Sequence, residues 1–199
     1  MSGSFPISTA QFETLGIKSI QDTILSKSVS GKKFARQIDG QRWAFTASII
    51  TAKRSDVYGD LMAFIVKQRS GKENFTIIPP EIEDARGTAS GTPNGTASAG
   101  ATSITIGGSA TGTLKAGDFI KFANHDKVYM VVADQADIST GTLTIEPPLV
   151  TAVSSTNIQY DNVPFTVYLT NDVQEFGAVG ADHNGNVLYQ FEIDVEEAL

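Results

Sequence analysis

The chain has 199 residues, of which 41% are hydrophobic, 9% are aromatic and 19% are charged. This composition supplies enough apolar side chains for a core, so it excludes a disordered chain and fits one sizeable domain or two small ones. Cysteine is absent and only two histidines are present, which excludes disulfide frameworks, thiolate zinc sites and cysteine nucleophiles. We therefore expect no metal site and no cofactor.

The formal net charge of −7 is unevenly distributed along the chain. Residues 1–75 carry eleven basic and six acidic side chains, a balance of +5, whereas the remainder carries four and sixteen, a balance of −12. An ordinary solvated surface would explain this asymmetry, and so would self-association between a basic and an acidic face. The sequence has no leader pattern and no run of about 18 apolar residues, so we expect cytoplasmic synthesis and no membrane partner.

The first half of the chain predicts strands followed by one helix. Strands are expected between residues 17 and 39, with a turn at Val29-Ser30-Gly31. Residues 42–49 then place an apolar side chain at every second position, which predicts a strand with one buried face. A helix is expected over residues 56–69, capped by Ser55 or Asp56 and followed by Gly71. Its apolar face contains Val57, Leu61, Phe64 and Ile65, and the strand ENFTIIPP follows it.

The second half predicts further short strands and no helix. TSITI, DFIKFA, KVYMVVA and GTLTIEPP each lie between turn signals. Asn124-His125-Asp126 predicts a turn between the second and third of these strands. Two more strands, FTVYLTNDVQEF and NVLYQFEIDVEEAL, flank a turn signal of the Asn-Gly kind at residues 183–186.

An uncharged stretch rich in Gly, Ser, Thr and Ala occupies residues 87–114. Its glycines lack the spacing of both phosphate-binding motifs, and it does not connect a strand to a helix, so we do not expect a nucleotide site. We expect residues 87–100 to be a flexible crossing with a turn at Pro93-Asn94-Gly95, and structure from Ala101 onward. Whether the return crossing near residues 154–162 is equally loose stays open at this point.

Together these elements predict a mainly β protein: an antiparallel β-barrel or sandwich with one flanking helix and an inserted small β-barrel. Residues 1–84 and 161–199 would form one discontinuous domain. Residues 85–160 would form the inserted domain, which is near the lower size limit for independent folding.

No set of residues in the sequence forms a catalytic constellation. His125-Asp126 and Asp182-His183 are adjacent pairs whose side chains diverge, so both histidines are interpreted as turn residues. The basic set Lys32, Lys33, Arg36 and Arg42 has too few interleaved aromatic residues to favour a nucleic-acid surface. Near the C-terminus, three carboxylates alternate with apolar residues and are expected on the polar face of one strand, which could line a lumen: Glu192, Asp194 and Glu196.

The order of motifs resembles that of tail proteins of tailed bacteriophages. The first part has a tryptophan strand (QRWAFTASI), a helix ending in glycine (DVYGDLMAFIVKQRSG) and a strand with phenylalanine (ENFTIIPP). The central AGATSITIGGSATGTLKAGDFIKFANHDKVYMVVAD, followed by GTLTIEPPL, is similar to a small β-module of phage virion proteins. FTVYLTNDVQEF and LYQFEIDVEEAL are similar to the closing strands of such tail proteins. The chain thus resembles distal tail or baseplate ring proteins with a tail-tube-like β-barrel.

This resemblance implies a structural, non-enzymatic virion protein, assembled in the host cytoplasm. It implies a ring, commonly of six subunits, around a DNA channel at the tail tip, linking the tail tube to the hub or fibres. Glu192, Asp194 and Glu196 would face that channel, and DNA would pass without specific binding. A tail-tube, tail-terminator or head-decoration subunit is the alternative. A carbohydrate-binding β-module with exposed Tyr129, Tyr160 or Tyr168 is a further alternative of another class.

Overall fold

The computed structural model describes residues 3–6, 12–38, 40–80 and 82–199. Within them the protein is mainly β, as predicted, with one α-helix. The strands are β1 (Phe12–Ile20), β2 (Thr23–Lys27), β3 (Lys33–Gln37), β4 (Arg42–Lys53), β5 (Phe75–Ile77), β6 (Ser90–Ala97), β7 (Ser103–Thr111), β8 (Phe119–Phe122), β9 (Val128–Val131), β10 (Gly141–Glu146), β11 (Val153–Gln159), β12 (Phe165–Leu169), β13 (Gly177–Ala181) and β14 (Val187–Glu197), and the helix is α1 (Gly59–Lys67).

Six strands form a large antiparallel sheet in the order β1-β4-β14-β12-β5, with β13 also paired to β14. One face of this sheet is buried against α1 because apolar residues alternate along its two longest strands. The alternation predicted for residues 42–49 is confirmed. The core of this sheet contains Trp43, Phe45, Ala47, Ile49, Leu61, Ile65, Phe165, Val167, Phe191, Ile193 and Val195.

The helix differs from its prediction at both ends. It is preceded by a π-helical turn from Arg54 to Tyr58, and neither residue preceding a helical segment makes a side-chain cap hydrogen bond. Gly59 is required where the two helical segments meet, since a Cβ there would lie 2.7 Å from the Arg54 carbonyl oxygen. After the helix the left-handed conformation is adopted by Arg69 and Ser70, at φ 53° and 62°, and not by Gly71.

A closed antiparallel barrel is formed by six strands in the order β10-β7-β6-β11-β8-β9, with β9 returning to β10. The four strands predicted in this part of the chain are confirmed, and so is the turn at residues 124–126. The barrel has a separate core that includes Ile104, Ile120, Phe122, Val131, Leu143, Ile145 and Ile158.

The prediction of a flexible crossing over residues 87–100 was wrong. Ser90–Ala97 is strand β6, which pairs with β7 on one side and with β11 on the other. Pro93 and Gly95 point into the barrel, and no turn occurs there. A Cβ on Gly95 would lie 2.8 Å from the Phe122 ring and 2.9 Å from Ile104, so glycine lets the strand pass closely over large core side chains.

The two crossings between sheet and barrel lie side by side. The Val163 N–H donates to the Glu83 carbonyl over 3.1 Å, and the Asn162 N–H donates to the Asp84 carboxylate over 3.0 Å. The return segment is itself strand β11 up to Gln159. The return crossing is therefore ordered and bonded to the outgoing one.

The β2–β3 hairpin is a separate two-stranded sheet. Its turn lies where predicted, closed by the Gly31 N–H donating to the Ser28 carbonyl over 2.9 Å, with Gly31 at φ 81°. All residues of both strands are exposed. The hairpin thus extends from the large sheet without entering the core.

The turn at residues 183–186 is also present, but it joins β13 to β14 and not the strand at Phe165–Leu169. Asp182 organises it: its carboxylate accepts from the backbone N–H groups of Asn184 and Asn186, each over 2.9 Å, and pairs with Lys53. The hydrogen bonds from Asn186 and Lys53 hold the pKa of Asp182 well below its usual range.

Candidate assembly surfaces

The polar face of the large sheet carries the three carboxylates predicted for it. In the register of β14 on β4, Glu192 is opposite Ser48, Asp194 opposite Thr46 and Glu196 opposite Ala44. Their neighbours Phe191, Ile193 and Val195 point into the core, so the strand alternates as expected. Whether this face lines a channel stays a prediction.

The three carboxylates differ in their surroundings. Asp194 accepts from the Thr46 hydroxyl over 2.7 Å and from the Asn171 amide over 3.1 Å. Glu196 forms an ion pair with Arg42 over 3.1 Å. Glu192 is exposed, whereas the other two are partly buried. The polar face is therefore a hydrogen-bonded surface with one freely solvated carboxylate.

A buried ion pair lies where the barrel meets the large sheet. The ammonium of Lys127, before β9, contacts the carboxylate of Glu197 at the end of β14, and both side chains are at most 2% exposed. Lys127 also donates to the backbone carbonyl and the side-chain oxygen of Gln41, over 2.8 and 2.9 Å. Glu197 accepts from the backbone N–H groups of Val128 and Trp43, over 2.8 and 3.2 Å.

These contacts satisfy charges that would otherwise be costly to bury. Burial raises the pKa of Glu197 and lowers the pKa of Lys127, while their mutual attraction opposes both shifts. Glu197 continues the inward phase of Phe191, Ile193 and Val195. A carboxylate at an inward position was therefore the available sequence signal for this contact, and sequence reasoning missed it.

Aromatic side chains fill the apolar part of the same contact. Trp43 packs edge-on against Phe119 of the barrel at 5.1 Å between ring centroids, and Phe119 packs against Phe165 of the sheet at 5.6 Å. The Trp43 indole N–H donates to the Val128 carbonyl over 3.0 Å. The barrel is thus fixed to the sheet by a desolvated contact as well as by the two crossings.

The segment LKAGD, part of the phage-like pattern, forms a tight turn before β8. Asp118 is buried and accepts from the backbone N–H groups of Lys115 and Arg86, over 2.7 and 3.1 Å. Gly117 adopts φ 98° and donates its N–H to the Val131 carbonyl over 2.7 Å. The aspartate therefore ties the start of the barrel to its own turn, which is a structural role.

His125, Tyr129 and Tyr160 have structural roles. His125 lies in the predicted turn, where its ring nitrogens contact the Asn124 side chain at 2.7 Å and the Tyr129 hydroxyl at 2.8 Å. Burial, with the charge of Lys121, lowers the pKa of His125. Tyr129 and Tyr160 are buried. The alternative of sugar stacking on these exposed rings is therefore wrong for both.

Metal-binding clusters and membrane-spanning helices are both absent from the described part of the chain. Among residues 3–6, 12–38, 40–80 and 82–199, no group of three or more His, Asp or Glu side chains could hold a metal ion. In the same part of the chain, none of the helices has the length and apolar character needed to cross a membrane.

The fold and its surfaces define a mainly β protein in which a small closed barrel is inserted beside a larger sheet with a single helix. A comparison with family models then gives one relevant match. Residues 83–163 match the family described as "Distal tail protein pb9, B domain", and this range covers the six barrel strands and both crossings. No curated protein matches the chain.

The match supports the class to which the sequence pattern pointed: a distal tail protein of a tailed bacteriophage. It covers less than half of the chain, all of it in the barrel. The matched domain supports a structural role in a phage tail and a location in the virion.

Proposed function

We propose that this protein forms a ring around the DNA channel at the tip of a phage tail, as a baseplate component that links the tail tube to the hub or fibres. In this proposal residues 1–84 and 161–199 form the ring, which has six subunits. Residues 85–160 form an inserted domain on its outside. Assembly takes place in the host cytoplasm before incorporation into the virion.

The main support for the proposal is that the large sheet has one buried and one polar face. This sheet adjoins a barrel that matches a domain of a distal tail protein. One face is buried against α1, and the other carries hydrogen-bonded polar groups and the solvated carboxylate of Glu192. One edge of the sheet is β1, and the other is β5, whose outer side already pairs with residues 3–5. An unpaired edge is a ready site for association, and a head-to-tail arrangement closes into a ring when the rotation permits.

In the proposed ring, Glu192, Asp194 and Glu196 face the channel. Negative charge on the wall would repel the phosphate backbone, so DNA would pass without binding. Glu192 is the best probe of this role because it is exposed, whereas Asp194 and Glu196 have partners within the chain.

The oligomeric state is the first test of the proposal. Native mass spectrometry and negative-stain imaging of the full chain, alone and with tail-tube protein, are expected to give annular particles with a defined subunit number. A strict monomer under every condition, without incorporation into virions, would contradict the proposal.

Charge reversal tests the channel assignment. Glu192→Lys is expected to leave tail assembly intact and to slow DNA delivery, measured by potassium efflux and infection rate. Asp60→Lys is the matched control, since Asp60 is an exposed carboxylate on α1, which packs on the opposite face of the sheet. Equal delivery rates for both variants and the unchanged protein would exclude a channel-facing Glu192.

A further inference from the structure

The β2–β3 hairpin has the properties of a surface that lacks its partner. Residues 23–37 contain four basic side chains and no acidic one. Its large apolar side chains are also exposed: Ile24 at 56%, Leu25 at 60% and Phe34 at 52%. A two-stranded hairpin on its own is marginally stable in water, so this one gains stability when another surface covers it.

The register of the hairpin adds a second observation. Lys27 lies directly opposite Lys33, and Leu25 lies opposite Ala35 on the same face. Like charges directly opposite each other destabilise a strand pair. An acidic surface placed against this face would remove that repulsion and would cover Leu25.

A surface of matching character lies on the polar face of the large sheet. The segment of residues 171–179 leads into β13, which pairs with β14 on the side away from β4. Val173 and Val179 are 82% and 54% exposed there, and Glu175 is exposed between them. These residues line part of a groove of about 580 Å³ that also reaches Glu192 and the strands β4 and β1, and that has no lysine or arginine in its lining.

We propose that the β2–β3 hairpin of one copy docks on the 171–179 segment of a second copy. Lys27 and Lys33 then face Glu175, and Leu25 covers the exposed valines. Because the hairpin and the acceptor are different surfaces of the same chain, each copy both donates and accepts a hairpin, so the contact propagates head to tail. This inference rests on the proposed ring and names the surfaces that hold it together.

Cysteine cross-linking tests the contact directly, since the chain has no cysteine of its own. Full-length Ala35→Cys and Val173→Cys proteins, mixed and mildly oxidised, are expected to give a disulfide-linked heterodimer, because Ala35 is exposed on the same face as Leu25. Ala35→Cys mixed with Thr142→Cys is the control, because Thr142 is exposed on the barrel. Equal cross-linking in both mixtures, or cross-linking only after another tail protein is added, would overturn docking on a second copy.

Charge exchange tests the same contact without cross-links. The double change Lys27→Glu with Lys33→Glu is expected to raise the concentration needed for assembly at least tenfold, and Glu175→Lys in the same chain is expected to recover part of that loss. Glu192 stays unchanged in these variants. An unaltered melting temperature verifies folding, which the exposure of both lysines favours.

The outcomes separate this inference from the ring itself. Rings that form normally from the Lys27→Glu, Lys33→Glu protein would overturn hairpin docking and leave the ring proposal standing. Absence of rings from the unchanged protein would overturn both.

Discussion

The barrel and the β2–β3 hairpin are both excursions from the large sheet, yet they differ in burial: the barrel makes a buried contact with the sheet, and the strands of the hairpin are exposed. Residues 87–114 have no charge and many small residues, but they enter a closed barrel that is bonded to the sheet by Lys127 and Glu197. The hairpin has adjacent apolar residues in each strand, and both of its faces remain exposed. Contacts with the sheet, and not composition, therefore decide which excursion is buried against it.

The largest expected effect comes from breaking the buried pair that fixes the barrel. Lys127→Met leaves the Glu197 carboxylate buried without a counter-charge and is expected to reduce the free energy of unfolding by about 3–5 kcal/mol. Urea denaturation measures the loss. Adding Glu197→Gln removes the uncompensated charge and should restore part of the stability.

Lys115→Met is the control for that experiment, because the Lys115–Asp134 ion pair is exposed at the barrel surface. Exposed pairs contribute little, so its denaturation midpoint should stay near that of the unchanged protein. If both lysine variants lose the same stability, the barrel is not held by the buried pair.

A smaller loss is expected inside the barrel at Gly95. Gly95→Ala places a Cβ against Phe122 and Ile104 and should cost about 1–3 kcal/mol through overpacking. Gly107→Ala is the matched control on the neighbouring strand, since its Cβ would make only an ordinary 3.5 Å contact with Asn94. Thermal melting of both variants measures the difference. An unchanged melting temperature for Gly95→Ala would contradict the close packing of β6 over Phe122 and Ile104.

Replacing each of two buried tyrosines by phenylalanine should have different effects on the free energy of unfolding. The Tyr129 hydroxyl accepts from the Val150 N–H over 3.0 Å, so Tyr129→Phe should lose about 1 kcal/mol. The Tyr58 hydroxyl is buried without a hydrogen-bond partner among the described residues, so Tyr58→Phe should be neutral or stabilising. Denaturant titrations of the two variants measure these changes. A clear loss of stability in Tyr58→Phe would show that the Tyr58 hydroxyl has a hydrogen-bond partner.

The smallest effect is expected in the hairpin. Leu25→Ser and Phe34→Ser should change the unfolding free energy of the unassembled chain by less than about 0.5 kcal/mol, because neither side chain packs in a core. Ile145→Ser in the barrel core should unfold the protein far more readily. A large loss from either hairpin variant would mean that the hairpin folds back on its own chain.

Periodicity was a sufficient guide wherever one face of a strand was buried. Turn-forming residues predicted the turns around Gly31 and His125, and periodicity predicted β4 and the outward phase of Glu192. It failed for β6 because the glycines there serve close approach to Phe122, a neighbour that only the closed barrel brings near. A single strand's pattern contains no information on a distant partner.

The same limit explains the missed ion pair. Lys127 and Glu197 are far apart in sequence. The inward phase of Glu197 indicates its burial, but its pairing with Lys127 follows from the docking of the barrel on the sheet, which the local pattern cannot express. The helix was predicted from its apolar face, but its ends depend on Gly59 and on the left-handed Arg69 and Ser70, where tertiary contacts override end signals.

The hydrogen bond between Glu83 and Val163 determines how the barrel segment is connected to the sheet. The two ends of the barrel segment lie within one hydrogen bond of each other, so the chain leaves the sheet and returns to it at a single point. Replacing the segment with a short turn would require little rearrangement of the sheet backbone, but it would remove Lys127 from Glu197 and uncover Trp43. Exchange of such segments, with matching changes at these two residues, offers a route by which one sheet can carry different inserted domains.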